Sequence, residues 1–221
     1  MAELKLVIGN RNYSSWSLRA WLVLAKAGVS FEEILLPLDT PEFADEITQY
    51  SPSGRVPVLW DDGLCVWDSL AIAEYVNEQY AGGRLWPEDS TSRAMGRSLA
   101  AEMHSGFNAL RNELPMNIRS RRRVEGSEDL AKDLDRLFVL WGDALACHAD
   151  EGSWLLGQFS IADAMFAPVV QRLLGYGVEV PEDLQAYVAL MDGDEDMQRW
   201  KAEALKETWI VEADEAGEPV D

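Results

Sequence analysis

The order of apolar segments in the first 80 residues restricts the fold of this chain more than any other feature. Strand-like apolar runs alternate with amphipathic runs, and Gly9, Gly28 and Pro37 end the first three. The predicted order is β-α-β-α-β-β-α, over residues 4–9, 16–27, 31–36, a short helix that begins at 41, 56–60, 64–67 and a helix that begins at 68. The first three segments favour a right-handed parallel crossover, and Asp61-Asp-Gly63 predicts a hairpin between the last two strands. We therefore expect a four-stranded mixed sheet.

The pattern changes at residues 82–87, whose composition is typical of a linker. Beyond them we find only helical periodicity. Long helices are predicted from 90 to about 119 and from 127 to about 150, a third opens at 160, and shorter ones cover 182–191 and 194–205. The last ten residues, 212–221, contain five acidic side chains and no basic one, which predicts a solvated acidic tail. The expected architecture is an α/β domain over 1–81 followed by an all-helical domain over 88–221.

The composition excludes several classes of function. The 221 residues carry 39 acidic and 19 basic side chains, a net charge of −20, which argues against binding to nucleic acid or to an anionic membrane surface. The apolar stretches are too short to cross a membrane, and the N-terminus lacks a signal-peptide pattern. The two cysteines, Cys65 and Cys147, and the two histidines show no metal-ligand spacing, so we expect no metal site. These features favour a soluble protein of a reducing, cytoplasmic compartment.

Three serines stand where the first strand passes into the first helix. Ser14, Ser15 and Ser17 suit the capping of that helix, and Tyr13 precedes them. A helix N-terminus also offers unpaired backbone N–H groups and a partial positive charge, which suit an anion or a thiolate. The residues alone leave both a capped helix and a ligand site as alternatives.

Four motifs together carry a family resemblance. They are Ser14-Ser-Trp-Ser-Leu-Arg19, Ser51-Pro-Ser-Gly-Arg-Val-Pro57-Val-Leu, Asp68-Ser69 followed by Leu-Ala-Ile-Ala-Glu-Tyr, and Ser160-Ile-Ala-Asp163. In this order and spacing the chain resembles the glutathione transferase family over nearly its whole length. The first motif is most similar to the serine-type zeta class, which includes maleylacetoacetate isomerases, but Trp16 stands where that class has cysteine and Leu18 where it has tryptophan. The resemblance implies a thioredoxin-like N-terminal domain, an all-helical C-terminal domain and a homodimer.

The resemblance also implies that glutathione is a cosubstrate and that a hydroxyl at the first helix activates its thiol. A free thiol has a pKa of about 8.5, so only a few per cent is thiolate at pH 7. A hydroxyl that donates to sulfur beside a helix N-terminus would lower that pKa. Ser14 is the expected donor, Ser15 its rival and Tyr13 a third candidate, whereas Ser17 is expected to be structural.

Two further motifs are expected to hold glutathione. Val56-Pro57 fits a cis-proline site, where the resemblance implies that the backbone of Val56 pairs with the cysteinyl part of glutathione like an added strand. Ser69 and nearby backbone N–H groups begin another helix and are expected to hold the γ-glutamyl carboxylate, with Asp68 near the ammonium group. Arg55 is a candidate for the glycine carboxylate, and a solvated loop arginine is the alternative.

The remaining candidates lie in the helical region. His104, Phe107 and Arg111 are expected to border the second-substrate site, although His104 also suits a core or interface position. The box Ser160-Ile-Ala-Asp163 is expected to be structural. The cluster Arg119–Arg123 is interpreted as a helix C-terminus stabilised by cations, with a contact to an acidic substrate or to the other subunit as the alternative.

The expected function is that of a glutathione transferase that presents a thiolate to a small electrophile, for conjugation or for thiol-dependent reduction. One alternative is a glutathione-dependent cis-trans isomerase of a maleyl-type dicarboxylate, which a basic pocket near Arg111 or Arg119 would support. Another is a binding or scaffold module that keeps the fold without turnover.

Overall fold

The first part of the chain folds around a mixed four-stranded sheet in the computed structural model, which describes residues 4–220. The strands are β1 (Leu4–Ile8), β2 (Glu32–Leu35), β3 (Val58–Asp61) and β4 (Leu64–Trp67), and the helices are α1 (Ser15–Ala27), α2 (Pro41–Tyr50) and α3 (Ser69–Gln79). The strand order is β2-β1-β3-β4; β1 is parallel to β2 and antiparallel to β3, which pairs in antiparallel with β4. The predicted βαβαββα order and the thioredoxin-like topology are confirmed.

Alternation along β1 explains how both faces of the sheet are covered. Leu6 and Ile8 lie in the large core that α1 and α3 complete, whereas Val7 packs with Ile47 of α2 and with Val58 on the opposite face. Because both faces of this central strand are buried, its apolar run is nearly continuous. The loop that follows β1 therefore starts from a fixed position.

The second part of the described chain is mainly helical. Its helices are α4 (Ser90–Ser105), α5 (Asn108–Glu113), α6 (Glu128–Cys147), α7 (Ile161–Tyr176), α8 (Glu182–Gly193) and α9 (Glu195–Ala204). Helix α7 is buried along almost its whole length and packs against α1 and α4. It begins at the predicted capping box, where the Asp163 carboxylate accepts from both the backbone N–H and the hydroxyl of Ser160. Within residues 4–220, no helix combines the length and the apolarity that a membrane crossing needs.

The single long helix predicted from 90 to about 119 is wrong, because helix α4 ends at Ser105 and a separate helix, α5, begins at Asn108. The N–H of Gly106 bonds to the carbonyl of Glu102 at 2.8 Å, and Phe107 adopts a left-handed backbone with φ 58°. Such a conformation costs a non-glycine residue about 1–3 kcal/mol. Burial of the Phe107 ring offsets this cost, since it stabilises by a similar amount. The apolar spacing continues through the break, so periodicity alone does not reveal it.

Most of the C-terminal segment is exposed to solvent, as its composition predicts, but it is not a free tail. After a short 3-10 helix (Glu212–Asp214), strand β6 (Glu218–Pro219) pairs in antiparallel with β5 (Arg122–Arg123). Arg122 Nη1 also donates to Glu215 Oε2 at 2.6 Å. The interpretation of the arginine cluster as a helix C-terminus is likewise wrong, because α5 ends at Glu113; Arg122 binds the acidic segment, and Arg119 binds the carbonyls of Glu207 and Trp209. The basic segment and the acidic segment lie far apart in the sequence, so the composition of neither one predicts that β5 and β6 pair.

Candidate functional site

Residues 10–15, here called the serine loop, lead from β1 into the first residue of α1 and carry two buried serines, Ser14 and Ser15. Ser14 is the N-cap of α1: its Oγ accepts from the Ser17 N–H at 3.3 Å and donates to Ser17 Oγ at 2.7 Å. Ser17 Oγ also accepts from the Gly9 N–H at 3.0 Å, so it ties the end of β1 to the helix. Ser14 therefore lies at a helix N-terminus, where the partial positive charge stabilises an anion such as a thiolate.

Ser15 has a cationic partner. Its Oγ accepts from Arg172 Nη2 at 3.0 Å. Arg172 belongs to α7, is buried, and also donates to the carbonyl of Leu114 at 2.5 Å. Burial, and then the charge of Arg111, lowers the pKa of Arg172 to about 10, so it stays cationic at neutral pH. A charged donor on the oxygen polarises the Ser15 hydroxyl and makes its proton a stronger donor to a ligand.

The C-terminal segment binds the hydroxyl of Tyr13. This hydroxyl donates to Glu215 Oε1 at 2.5 Å and accepts from Arg119 Nη2 at 3.0 Å. Burial, followed by the bond to Glu215, raises the pKa of Tyr13. A phenol has one proton, and here a carboxylate holds it. In this arrangement the two serines are better donors to a ligand than Tyr13.

Two cavities open beside the serine loop. The serine cavity, of about 460 Å³, is lined by Tyr13, Ser14, Ser15 and, among others, by Leu38, Phe43, Arg111, Met116, Arg172 and Asp214. The Asp68 cavity, of about 420 Å³, is lined by Ser53, Pro57, Trp67, Asp68, Ser69 and His104. Three residues, Trp16, Arg55 and Val56, line both cavities. The two spaces are thus adjacent, and each has the size of a small-ligand site.

The Asp68 cavity combines a cis peptide bond with a helix N-terminus. The Val56-Pro57 bond is cis, as predicted. Asp68 has a positive φ of 75° and caps α3, with Oδ1 accepting from the backbone N–H groups of Leu70 and Ala71. Its Oδ2 lies 3.1 Å from His104 Nε2.

Ser69 adds a free hydroxyl to this cavity. The residue is 1 % exposed, and its Oγ has no hydrogen-bond partner within the described chain. A buried hydroxyl without a partner costs free energy unless a ligand satisfies it, so Ser69 marks a polar contact point for a ligand.

Trp16 stands between the two cavities and is surrounded by cations. The guanidinium carbons of Arg19 and Arg111 lie 4.4 Å and 4.8 Å from its ring centre, and His104 meets it edge-on at 5.3 Å. Burial, and then the charges of Arg111 and Arg172, lowers the pKa of Arg19. Burial is also the main cause that lowers the pKa of His104, against the attraction of Asp68. The wall between the cavities is therefore aromatic and carries positive charge.

Most of the predicted site residues meet at these cavities, but Phe107 does not, because its side chain is buried in the core and lines neither cavity. Arg55 lines both cavities from an exposed loop position. Sequence reasoning missed Arg172 and Asp214. An arginine within the apolar run of α7 is the signal that could have identified Arg172, since an ionised side chain in a core requires partners. The acidic composition of residues 212–221 predicts a solvated tail, so it gives no sign that Asp214 lines a cavity.

Known proteins resemble the chain over most of its length. The sequence profile described as "Glutathione S-transferase, N-terminal domain" matches residues 13–79. Maleylacetoacetate isomerase of Rattus norvegicus is 33% identical over 176 residues, which cover 77% of this chain and 78% of that protein. Glutathione S-transferase L1 of Arabidopsis thaliana is 27% identical over 157 residues, 70% of this chain but only 60% of that protein. A solved glutathione transferase homologue from Burkholderia GL BGR1, with bound glutathione, has a TM-score of 0.71 and 26% identity, over 91% of this chain and 98% of that one.

Proposed function

The chain belongs to the glutathione transferase family, and from this premise we propose that it binds glutathione, ionises its thiol and delivers the thiolate to a small electrophile. One observation carries the proposal: two buried serine hydroxyls at the N-terminus of α1 line a cavity that adjoins a second cavity with a cis-proline and an Asp-Ser pair. One space suits the tripeptide, and the adjoining space suits its reaction partner.

In the proposed complex, glutathione occupies the Asp68 cavity with its thiol directed to the serine loop. The backbone of Val56, a residue that lines both cavities, pairs with the cysteinyl part. Ser69 and the first N–H groups of α3 bind the γ-glutamyl carboxylate, and Asp68 binds the ammonium group. Arg55 binds the glycine carboxylate. The partnerless Ser69 hydroxyl supports this placement.

The thiol is activated by the serine loop. Ser14 is the proposed sulfur ligand, because it lies at the helix N-terminus and lines the serine cavity. To donate to sulfur, its hydroxyl turns from Ser17, which is a rotation about one bond. Ser15 remains the rival, and its bond from Arg172 strengthens its claim. Lowering the thiol pKa from about 8.5 to about 6.5 would correspond to about 2.7 kcal/mol.

The test is the pKa of the bound thiol, followed by thiolate absorbance during a pH titration. We expect Ser14→Ala to raise this pKa by about one unit or more and, from a wild-type pKa of about 6.5, to lower turnover at pH 6.5 about fivefold or more. Loss of the N-cap of α1 costs about 1 kcal/mol, so the melting temperature should fall by only a few degrees. Ser15→Ala tests the rival, and Ser98→Ala on the exposed surface of α4 is the matched control. A bound thiol whose pKa is unchanged in Ser14→Ala would show that Ser14 is not the sulfur ligand.

A second candidate function is isomerisation of a maleyl-type dicarboxylate, in which glutathione adds to the substrate and leaves again. Its support is the charge of the serine cavity, where Arg55, Arg111 and Arg172 outnumber the one acidic lining residue, Asp214. Guanidinium groups are well suited to carboxylates. Assaying maleylacetone isomerisation beside conjugation of a neutral aromatic electrophile separates the two candidates. Calorimetry that detected no glutathione binding would instead favour a non-catalytic scaffold.

The proposal includes a division of the chain at residues 82–87, a homodimer and a cytoplasmic location, all of which follow the family resemblance. The edge strand β4 exposes about half of the side chains of Leu64 and Trp67, apolar surface that a second subunit would cover. Sedimentation analysis of the purified chain tests the dimer.

A further inference from the structure

The serine loop is held by residues from the second, mainly helical part of the chain. These residues lie outside the four motifs of the family resemblance. We infer that Glu207 is a positioning residue: its carboxylate fixes the backbone of the serine loop and thereby sets where the serine hydroxyls meet the thiol. The inference rests on the proposed function for the identity of the ligand, but the contacts that carry it lie entirely within the chain.

The hydrogen bonds of the Glu207 carboxylate come from backbone N–H groups, and a longer ion pair to Arg11 accompanies them. The side chain is almost completely buried, with Oε1 accepting from the Arg11 N–H at 2.8 Å and Oε2 accepting from the Asn12 N–H at 3.1 Å. The guanidinium of Arg11 lies farther away, with Nη1 at 3.8 Å from Oε1. A buried carboxylate that accepts two consecutive backbone N–H groups fixes the path of the chain at that point, because both oxygens must be satisfied together.

Glu207 is itself held in place. Arg119 donates to the carbonyl of Glu207 through Nη1 and to the carbonyl of Trp209 through Nη2, the latter at 2.6 Å. Trp200 of α9 donates from Nε1 to the carbonyl of Arg11 at 3.0 Å. The segment that carries Glu207 is therefore fixed before it, by the bond from Trp200 to the serine loop, and after it, by the bond from Arg119 to Trp209.

The next loop residue has a second anchor. Asn12 Nδ2 donates to Asn117 Oδ1 at 3.0 Å, and the N–H of Arg119 donates to Asn12 Oδ1 at 2.8 Å. With the bond from Tyr13 to Glu215, each of the three residues before Ser14 is held by a residue beyond position 110. A misplacement of about 1 Å in a catalytic group can cost about a hundredfold in rate, so this clamp bears directly on catalysis.

If Glu207 positions the loop, Glu207→Gln should shift the pKa of the bound thiol in one direction; if it acts only through its charge, the shift should have the opposite sign. Glu207→Gln removes a negative charge from the neighbourhood of the thiol, which by charge alone would stabilise the thiolate and lower its pKa. If the carboxylate positions the loop, the same change displaces the serine hydroxyls and raises the pKa. An amide has one acceptor oxygen, so it cannot satisfy both the Arg11 and the Asn12 N–H groups.

The experiment measures the pKa of glutathione's thiol bound to the full chain, together with KM and kcat for conjugation. In Glu207→Gln we expect the bound thiol pKa to rise by about one unit and kcat at pH 6.5 to fall about fivefold, with KM for glutathione changed less than twofold because the Asp68 cavity is untouched. Glu203→Gln is the control, since Glu203 lies four residues earlier, is exposed, forms its ion pair with Lys206 and, like Glu207, carries a negative charge near Arg11.

A double-mutant cycle then identifies the route of the effect. Adding Glu207→Gln to a Ser14→Ala/Ser15→Ala background should raise the thiol pKa no further, because the hydroxyls that Glu207 positions are gone. Glu207→Asp, which keeps the charge but is one methylene shorter, should shift the pKa in the same direction and serves if Glu207→Gln does not fold.

The outcomes are distinct. A lower or unchanged thiol pKa in both Glu207 variants, with the wild-type pKa depressed and the serine variants raising it, overturns the inference and leaves the proposed function intact. A full additional shift in the double-serine background overturns it as well. A wild-type chain whose bound thiol has the pKa of free glutathione overturns the proposed function, and the inference with it.

Discussion

Asp163 at the start of α7 is a small side chain whose replacement should lower the stability of the fold strongly. Its side chain is completely buried and accepts four hydrogen bonds. Oδ1 accepts from the Leu155 N–H at 3.1 Å and the Tyr187 hydroxyl at 3.2 Å, and Oδ2 accepts from the N–H and the hydroxyl of Ser160 at 2.8 Å and 2.9 Å. The carboxylate thus joins the helix to the chain before it and to α8.

The isosteric change Asp163→Asn allows the magnitude to be worked from these four bonds. An amide offers one acceptor oxygen in place of two, so both donors on the other oxygen then face an NH₂ group. One of them is a hydroxyl, which can turn and accept from that group, whereas the other is a backbone N–H, which loses its partner. A buried donor without a partner costs about 1–3 kcal/mol, so we expect the free energy of unfolding to fall by about that amount, a sizeable share of the 5–15 kcal/mol typical of a folded domain.

Urea unfolding at pH 7.5, followed by tryptophan fluorescence and by circular dichroism, measures this loss. Burial raises the pKa of Asp163 to about 6, so at pH 7.5 the carboxylate is ionised and acts only as an acceptor. Asp135→Asn on the exposed face of α6 is the control and should change stability by less than about 0.5 kcal/mol. A loss below about 1 kcal/mol in Asp163→Asn would refute the reasoning, because it would mean that the four donors find other partners.

Two further predictions concern the cavities. Asp214 lines the serine cavity, and burial with neighbouring carboxylates raises its pKa to about 6, so it is neutral below that pH and negative above it. Affinity for benzenesulfonate, an anion whose charge is constant in this range, should therefore weaken as pH rises from 5 to 7; calorimetry should show this dependence lost in Asp214→Asn and kept in Asp135→Asn. Ser69→Ala should weaken glutathione binding about tenfold with a melting temperature within a few degrees of wild type, because the hydroxyl has no partner in the described chain to lose. Equal calorimetric affinities in Ser69→Ala and Ser98→Ala would contradict the second prediction.

The order of strands and helices could be predicted because burial imposes a period on the sequence. β1 is covered on both faces and reads as a continuous apolar run, and α6 keeps its apolar face at helical spacing from one end to the other. The break at Gly106 and Phe107 could not be predicted in this way, since Phe107 remains buried and keeps the apolar spacing across it.

The hydrogen-bond partners within the site were beyond prediction because they join distant parts of the chain. Ser14 and Ser15 are adjacent and look equivalent as helix caps, yet one bonds to Ser17 and the other to Arg172. Tyr13 is a reasonable third donor by its position in the sequence, but in the fold its hydroxyl proton is held by Glu215. A hydroxyl's availability depends on what holds its proton, and that is decided by tertiary contacts at separations that no local pattern encodes.

The lining of one cavity can be predicted from the sequence better than the lining of the other, and the difference has a physical cause. The Asp68 cavity depends on backbone states that few residues adopt: a cis bond needs a proline, and a helix N-terminus needs a cap such as Asp68. Those requirements leave motifs. The serine cavity beyond its serines needs only shape and charge, and Met116, Arg172 and Asp214 come from three segments without a shared pattern. Substitutions at these positions change the volume or the charge of the cavity, but no special backbone conformation depends on them. The side of the site proposed to bind glutathione is therefore recognisable from the sequence, whereas the wall proposed to contact the electrophile forms only when the chain is folded.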